Sequence, residues 1–511
     1  MGLAIGDRFG RGSLTTWASR LGLVVLVLAV ALLAGLQFAQ PDKRVMQVVA
    51  AGMVVFLAFR TKSISALMLA VLFIPFPKPT SYGNTNVAFV LLIFLVWIFR
   101  VTSRRATFQG RTTVDLPILC LIMAYCVSFY NVDMAHHFGV AWAKFLAFLS
   151  YLFLLYLVAN VVRTKEDVQK ILLAQALSCT LVCLFALYEQ RHPGSAPVPG
   201  WLDFSATGST KIEGVRVGST FLDYELFGEY CALNFFLGMF LFTRARTRTR
   251  RLAVVGLMGL TLFCLFSTVT RGAVISLMAG FVYLGWLSRR RLNLPRTLAA
   301  VSGALVVLFG GDFLVSTFSK SGSVLARLMG SHLVGGVPDT RVGAWRDAVK
   351  YISEHPIIGH GPYYSIGEGL DFRYWPHNVY LYYASIVGLV GLTFYLWFLW
   401  KLWRASRPLA PSLGSGTYLE GATLLARVML FTFMVDQVKI DYLRNERYSF
   451  WVWFFFGTIL AISLVARREA RAAATSRDEA GPPVPETRTR NGRAALRPVS
   501  LEPAVPARIA P

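Results

Sequence analysis

Long apolar runs recur along this chain from its beginning almost to residue 466, and they constrain the fold more than any other feature. A helix needs about 20 mostly apolar residues to cross about 30 Å of hydrocarbon. With 55% hydrophobic and only 15% charged residues, the chain is predicted to be an all-α polytopic membrane protein with about 12–14 transmembrane helices. The runs fall at about 21–39, 45–59, 64–77, 86–99, 115–130, 138–162, 168–188, 226–243, 252–268, 272–287, 297–316, 378–400, 418–436 and 449–466.

Arginine and lysine cluster in the connections between alternate runs, as in the RARTRTRR segment that ends at Arg251. Cytoplasmic connections are enriched in these residues, so the pattern predicts that both termini lie in the cytoplasm. Two short outer connections run against the rule, one with Lys43 and Arg44 and the other with Lys439, Arg444 and Arg447. The formal charge of +24 does not predict nucleic-acid binding, because these clusters are loop anchors and form no single basic face.

The predicted organisation is a helical bundle over 1–466 followed by a tail over 467–511, which is poor in large apolar residues and predicted to be disordered. Two extracytoplasmic loops, 189–225 and 317–377, are longer than a connection requires, and such loops often carry function. The second has a helical apolar pattern through Trp345. All six cysteines fall inside apolar runs, so no disulfide framework, metal site or cofactor is predicted.

Arginines gather on the predicted outer side in spite of the charge rule, and they suggest an anionic ligand. Arg216, Arg271, Arg341 and Arg346 lie there, with Lys211 near Arg216 in sequence. Guanidinium groups bind phosphate oxygens in pairs, so converging arginines suit a diphosphate, and a lipid pyrophosphate is the obvious candidate. Snorkelling of Arg271 to lipid headgroups and a simple loop position for Arg216 are the alternatives.

His377 begins the motif HNVYLYYASIVGLVG at the start of a predicted span. An imidazole titrates near neutral pH and can take a proton from a hydroxyl, so His377 is a candidate general base. Asn378 and Tyr380 follow it and are predicted to bind substrate. Gly388 and Gly391 are predicted to allow close packing of this span.

The spacing of His377 and Asn378, nine residues, Gly388, two residues and Gly391 resembles the signature of the O-antigen ligase and O-antigen polymerase superfamily of bacterial surface-polysaccharide enzymes. The segment RVGAWRDAVKYISEHPIIGHGPYYS resembles the family's Arg, Trp, Pro and Gly-x-Gly block. The segment STVTRGAV resembles its Ser-Arg-Gly element, with Thr270 where serine is usual. Family members often have leucine four residues after the loop arginine, whereas Arg341 precedes Val-Gly-Ala-Trp, so Arg327 and Arg346 are alternatives for that position.

The resemblance implies metal-independent glycosyl transfer at the periplasmic face of the bacterial inner membrane. The donor would be an undecaprenyl-pyrophosphate-linked glycan, and the acceptor a hydroxyl of a glycan or of lipid A-core. By this resemblance His377 activates the acceptor, Arg216 and Arg341 hold the pyrophosphate, and Arg271 assists. Ligation, polymerisation and transfer to protein all remain possible within the superfamily. A flippase or transporter of lipid-linked sugar is the alternative from another class, although transporters usually place charges in mid-span.

Overall fold

The computed structural model describes residues 61–80, 83–108, 110–198, 201–202, 216–289, 294–318, 322–330, 333–334, 337–362 and 376–479. The predicted spans at 21–39 and 45–59, as well as Lys211, lie outside these residues. The chain divides into a first unit over Met1–Ala466 and a second over Arg467–Pro511. In the second unit the described residues, 467–479, are helical.

The protein is an all-α polytopic membrane protein. Nine of the described helices are long and apolar enough to cross a membrane, and three shorter apolar helices accompany them. Each of these helices coincides with one predicted run, because the runs end at polar or glycine-containing turns. The helices before residue 200 are α1 (Ser63–Phe73), α2 (Thr85–Thr102), α3 (Asp115–Ser128), α4 (Phe138–Val161) and α5 (Lys165–Arg191).

A second set of helices follows residue 216: α6 (Tyr224–Arg244), α7 (Arg248–Ser267), α8 (Arg271–Ser288) and α9 (Leu294–Phe318). Helix α6 packs against α7 and α8, and α7 also packs against α5. The turn between α6 and α7 is short because Thr247 caps α7, its side chain accepting from the backbone N–H of Arg250.

The segment between α9 and residue 362 is partly helical. It contains α10 (Val324–Met329) and α11 (Asp339–Glu354), with a two-residue antiparallel pair of β3 (Leu333–Val334) and β4 (Val337–Pro338) between them. A similar pair, β1 (Pro79–Thr80) and β2 (Gly83–Asn84), precedes α2. Both pairs are tight hairpins at helix ends.

The last helices are α12 (Val379–Ala405), α13 (Tyr418–Asp436) and α14 (Glu446–Glu479). In the membrane-length part of α14, Glu446–Thr475, 94% of the most apolar 18-residue stretch is buried. Aromatic side chains of α14, among them Trp451 and Trp453, are fully buried. Helix α14 is therefore the most deeply buried of the nine membrane-length helices that the structure describes.

Helix α12 is broken at Gly388, whose φ of +69° lies in the left-handed region that glycine tolerates best. The loop before the helix supplies the hydrogen bonds that the break removes. The N–H groups of His360 and Gly361 donate to the carbonyls of Ser385 and Ile386, each at 2.9 Å, and Leu389 donates to the carbonyl of Pro356 at 2.8 Å. The backbone of Gly388 packs directly against the backbone of Ile357, since a Cβ on Gly388 would lie 2.1 Å from the carbonyl oxygen of Ile357.

Candidate active site

His377 lies immediately before α12, where the chain turns into the helix. Asn378 caps the helix, its side-chain oxygen accepting from the N–H groups of Tyr380 at 2.9 Å and Leu381 at 3.1 Å. The amide of Asn378 also donates to the carbonyl of Val438 at 2.8 Å. His377 itself has a φ of +45°, an uncommon conformation for a non-glycine residue. The cap and the tie to Val438 hold this conformation, so His377 has a fixed place in the structure.

The carboxylate of Glu225, in the first turn of α6, contacts His377 and two arginines. Its Oε1 atom lies 2.8 Å from Nη2 of Arg341, and its Oε2 atom lies 3.1 Å from Nδ1 of His377. Nη2 of Arg444 approaches the same Oε2 atom at 2.9 Å. The side chain of Glu225 is only 14% exposed, so these contacts are made largely away from water, where ion pairs are least screened.

Arg444 lies in the connection between α13 and α14 and forms the second half of this cluster. Nη2 of Arg444 contacts the Asp223 carboxylate at 2.7 Å, while Nη1 lies 2.5 Å from Nδ1 of His377. Burial lowers the pKa of Arg444, but the carboxylates of Asp223 and Glu225 outweigh burial and raise its pKa above the ordinary value. Arg444 is therefore a permanent cation beside the imidazole.

Arg341, in the first turn of α11, connects this helix to the cluster. Besides its bond to Glu225, its Nη1 atom donates to the carbonyl of Lys439 at 2.5 Å. One turn later, the indole N–H of Trp345 donates to the carbonyl of Pro376 at 2.9 Å. Helix α11 is thus held against the residue that precedes His377. The predicted pair of Arg341 and His377 is brought together through Glu225.

Arg216 lies beside this cluster and is buried. Its Nε atom donates to the carbonyl of Thr268 at 3.0 Å, and its guanidinium lies 3.3 Å from the centroid of the Tyr224 ring. Such stacking of a cation on an aromatic face is favourable, the more so when desolvated. Because Tyr224 precedes Glu225 in the chain, this stacking places Arg216 next to the cluster.

The other predicted substrate-binding residues fall in different surroundings. Arg271 begins α8, and its Nη1 atom donates to the carbonyl of Arg327 at 3.4 Å, while Arg327 donates to the carbonyl of Val269 at 2.8 Å. The hydroxyl of Tyr380 donates to the carbonyl of Met434 at 2.9 Å, which ties α12 to α13. Arg346 is exposed on α11, where its charge is available to a ligand.

Two residues of the cluster, Glu225 and Arg444, are absent from the sequence-based site. Asp223 caps α6 and contacts Arg444. The connection containing Arg444 stood out in the sequence as an exception to the positive-inside rule, and that exception was the available signal. No group of three or more His, Cys, Asp or Glu side chains arranged to hold a metal ion occurs in the part of the chain that the structure describes.

The family model for O-antigen ligase matches residues 253–396 of the chain. This segment contains Arg271, Arg341, His377 and Gly388, at which α12 is broken. Over this segment the chain is similar to O-antigen ligases. No curated protein matches it. Glu225 and Arg444 lie on either side of the matched segment, so the fold joins residues from outside that segment to His377 and Arg341 within it.

Proposed function

We propose that this protein belongs to the O-antigen ligase and polymerase superfamily and transfers a glycan from a polyprenyl pyrophosphate, undecaprenyl pyrophosphate in bacteria, to a hydroxyl of an acceptor sugar. The superfamily supports a ligase- or polymerase-type activity on surface polysaccharide. The observation that carries the proposal for the site is the shared carboxylate of Glu225, which holds His377 and Arg341 at 3.1 and 2.8 Å. A proton acceptor and a cation for a departing anion are thereby held side by side.

In the proposed reaction the acceptor oxygen attacks the anomeric carbon of the donor sugar and forms the new glycosidic bond. The bond between that carbon and the pyrophosphate oxygen breaks, and its electron pair leaves with the polyprenyl pyrophosphate. The hydroxyl proton passes to Nε2 of His377, whose other ring nitrogen faces Glu225. A neutral imidazole accepts this proton, and Glu225 stabilises the imidazolium that results.

The charge of the leaving group is balanced by arginines. Arg341 presents its guanidinium group from α11, Arg271 from the start of α8, and Arg216 from its stacked position on Tyr224, while the exposed Arg346 contributes to binding of the donor. Charged groups fixed in advance around a developing anion lower the barrier to its departure. Since guanidinium groups supply this charge, the proposed transfer is metal-independent.

We place the reaction on the periplasmic face of the inner membrane, with both termini in the cytoplasm. The support is the alternation of basic connections, such as that preceding α7, with connections that lack them. The acceptor is a growing glycan if the protein is a polymerase and lipid A-core if it is a ligase. Deletion of the gene separates these two: loss of a polymerase leaves a single repeat on the acceptor, and loss of a ligase leaves long chains on the carrier.

The test is an assay of the purified full-length protein with a synthetic undecaprenyl-pyrophosphate glycan and an acceptor glycan. We expect free undecaprenyl pyrophosphate and a new glycosidic bond in equal amounts, with the same rate after treatment with EDTA. Movement of the intact donor across a proteoliposome membrane, with no bond formed, would instead identify a transporter.

A further inference from the structure

The charged groups that direct contacts link to His377 come from three separate parts of the fold. Asp223 and Glu225 contribute two negative charges from the start of α6. Arg341 of α11 and Arg444 of the α13–α14 connection contribute two positive charges. Lys439, in the same connection, is paired with Asp436. Arg216, which stacks on Tyr224, adds a further positive charge beside this group, and Asp441 is a further buried carboxylate of the same connection. A change of one charge in the contacting group therefore changes the charge beside the imidazole by one unit.

Nδ1 of His377 lies within hydrogen-bonding distance of an anion and a cation at once. Oε2 of Glu225 is 3.1 Å away and accepts a proton, whereas Nη1 of Arg444 is 2.5 Å away and can only donate one. When Nδ1 carries the proton, it donates to Glu225 and leaves the lone pair at Nε2. When Nε2 carries the proton, Nδ1 accepts from Arg444. The imidazolium form favours Glu225 and is repelled by Arg444.

We propose that Arg444 is a positioning residue for His377, keeping the imidazole neutral and able to accept a proton, in opposition to Asp223 and Glu225. The proposal deepens the function proposed above, and its meaning for catalysis rests on that function. Arg444 is well suited to this task, because its side chain is only 13% exposed and a guanidinium stays charged at every pH of interest.

The contacts predict opposite effects for two neutral substitutions. Arg444→Gln removes a positive charge next to His377, so protonation of the imidazole becomes easier. Glu225→Gln removes a negative charge and replaces the carboxylate that faces Nδ1 with a neutral amide, so protonation becomes harder. A full charge at this distance shifts such an equilibrium by about one pH unit or more. Arg444→Lys keeps the charge and should keep the behaviour of the original protein.

The experiment follows the protonation of His377 directly, with the full-length protein in detergent. Diethyl pyrocarbonate reacts with the unprotonated imidazole, and mass spectrometry of the digested protein reports the reaction rate at each histidine separately. The measured quantity is the pH midpoint, the pH at which His377 reacts at half its maximal rate. We expect this midpoint to move by about one pH unit upward in Arg444→Gln and downward in Glu225→Gln. His136, whose side chain is 75% exposed and which pairs with Asp133, serves as the internal reference.

Arg447→Gln is the matched control, because Arg447 lies in the first turn of α14 and donates to a backbone carbonyl, that of Thr220, at 2.8 Å. Its loss should leave the His377 midpoint where it is. If Arg444→Gln fails to accumulate, the other two variants still test the proposal. The pH midpoint for His377 should move downward in Glu225→Gln and should not move in Arg444→Lys. Unchanged midpoints, or shifts of the same sign in the two glutamine variants, would overturn the proposal.

The transfer assay on the same samples distinguishes this inference from the proposed function. A protein that forms no glycosidic bond but has the expected shifts refutes the transferase activity and leaves the role of Arg444 in place. An active protein whose Arg444→Gln variant loses rate equally at every pH, with an unmoved His377 midpoint, refutes the role of Arg444 alone.

Discussion

Arg341 and His377 bind opposite oxygens of one carboxylate, that of Glu225, at 2.8 and 3.1 Å. The cation and the imidazole are thereby held apart by an anion that interacts favourably with both. The arrangement fixes α11, which contains Arg341, relative to the start of α12, which follows His377. A donor pyrophosphate near Arg341 would consequently lie close to a hydroxyl activated by His377.

Replacing Arg341 with lysine tests whether the two hydrogen bonds of its guanidinium are required. An ammonium group retains the charge but cannot hold both Glu225 and the carbonyl of Lys439 in the geometry of a guanidinium. We expect kcat/KM for glycan transfer to fall by about tenfold or more in Arg341→Lys, and further in Arg341→Gln. Steady-state transfer assays measure this. A lysine variant with unchanged kcat/KM would mean that charge alone suffices.

Arg346 provides a test of donor binding that leaves the cluster intact. It is exposed on α11, and Lys350, one turn later on the same helix, is exposed as well. We expect Arg346→Ala to raise KM for the pyrophosphate donor severalfold with little change in kcat, because an exposed cation contributes binding in the ground state and transition state alike. Lys350→Ala is the control. Equal changes in KM for the two variants would show that Arg346 has no specific part in binding the donor.

The break in α12 is expected to depend on glycine. In Gly388→Ala, a Cβ would meet the backbone of Ile357 and would also strain a left-handed conformation. We expect the free energy of unfolding to fall by about 2 kcal/mol or more, with less folded protein recovered from membranes. Gly285→Ala, at a helical glycine with no atom within 4 Å of the added Cβ, should be tolerated. Thermal unfolding in detergent compares the two, and equal stability would contradict the backbone contact.

His360, in the loop that packs against the break in α12, should make the stability of the protein depend on pH. Its ring stacks on Tyr351 with centroids 3.4 Å apart, and burial lowers the pKa of His360 below its ordinary value. The unfolded chain then binds more protons, so stability should be lost as the pH falls below about 6.5 and should be unaffected above it. His360→Gln should flatten this acid decline in the melting temperature between pH 5 and pH 8. An equally steep decline in the variant would assign the effect elsewhere.

The apolar runs were sufficient to predict the helices, because span length and the polar turns between spans are local properties of the sequence. The predicted partnership of Arg341 and His377 came from the resemblance to the O-antigen ligase and polymerase superfamily, and the structure brings these two residues to one carboxylate. Glu225 and Arg444 could not be found in this way. They lie far apart in the chain, and only the packing of α6 beside the α13–α14 connection brings them together. Burial of Arg216 beneath Tyr224 depends in the same way on tertiary packing.

The most direct test of the account is the rate of carrier release by purified His377→Ala, compared with the unmodified protein and with His136→Ala. His136 is exposed and pairs with Asp133, so its loss should leave the rate within about twofold of the original, as expected for a surface substitution. Loss of a general base reduces the rate by about 10²–10⁴-fold, and we expect a loss of this size in His377→Ala, with normal insertion in the membrane. Full transfer activity in His377→Ala would contradict the assignment of this cluster as the catalytic centre.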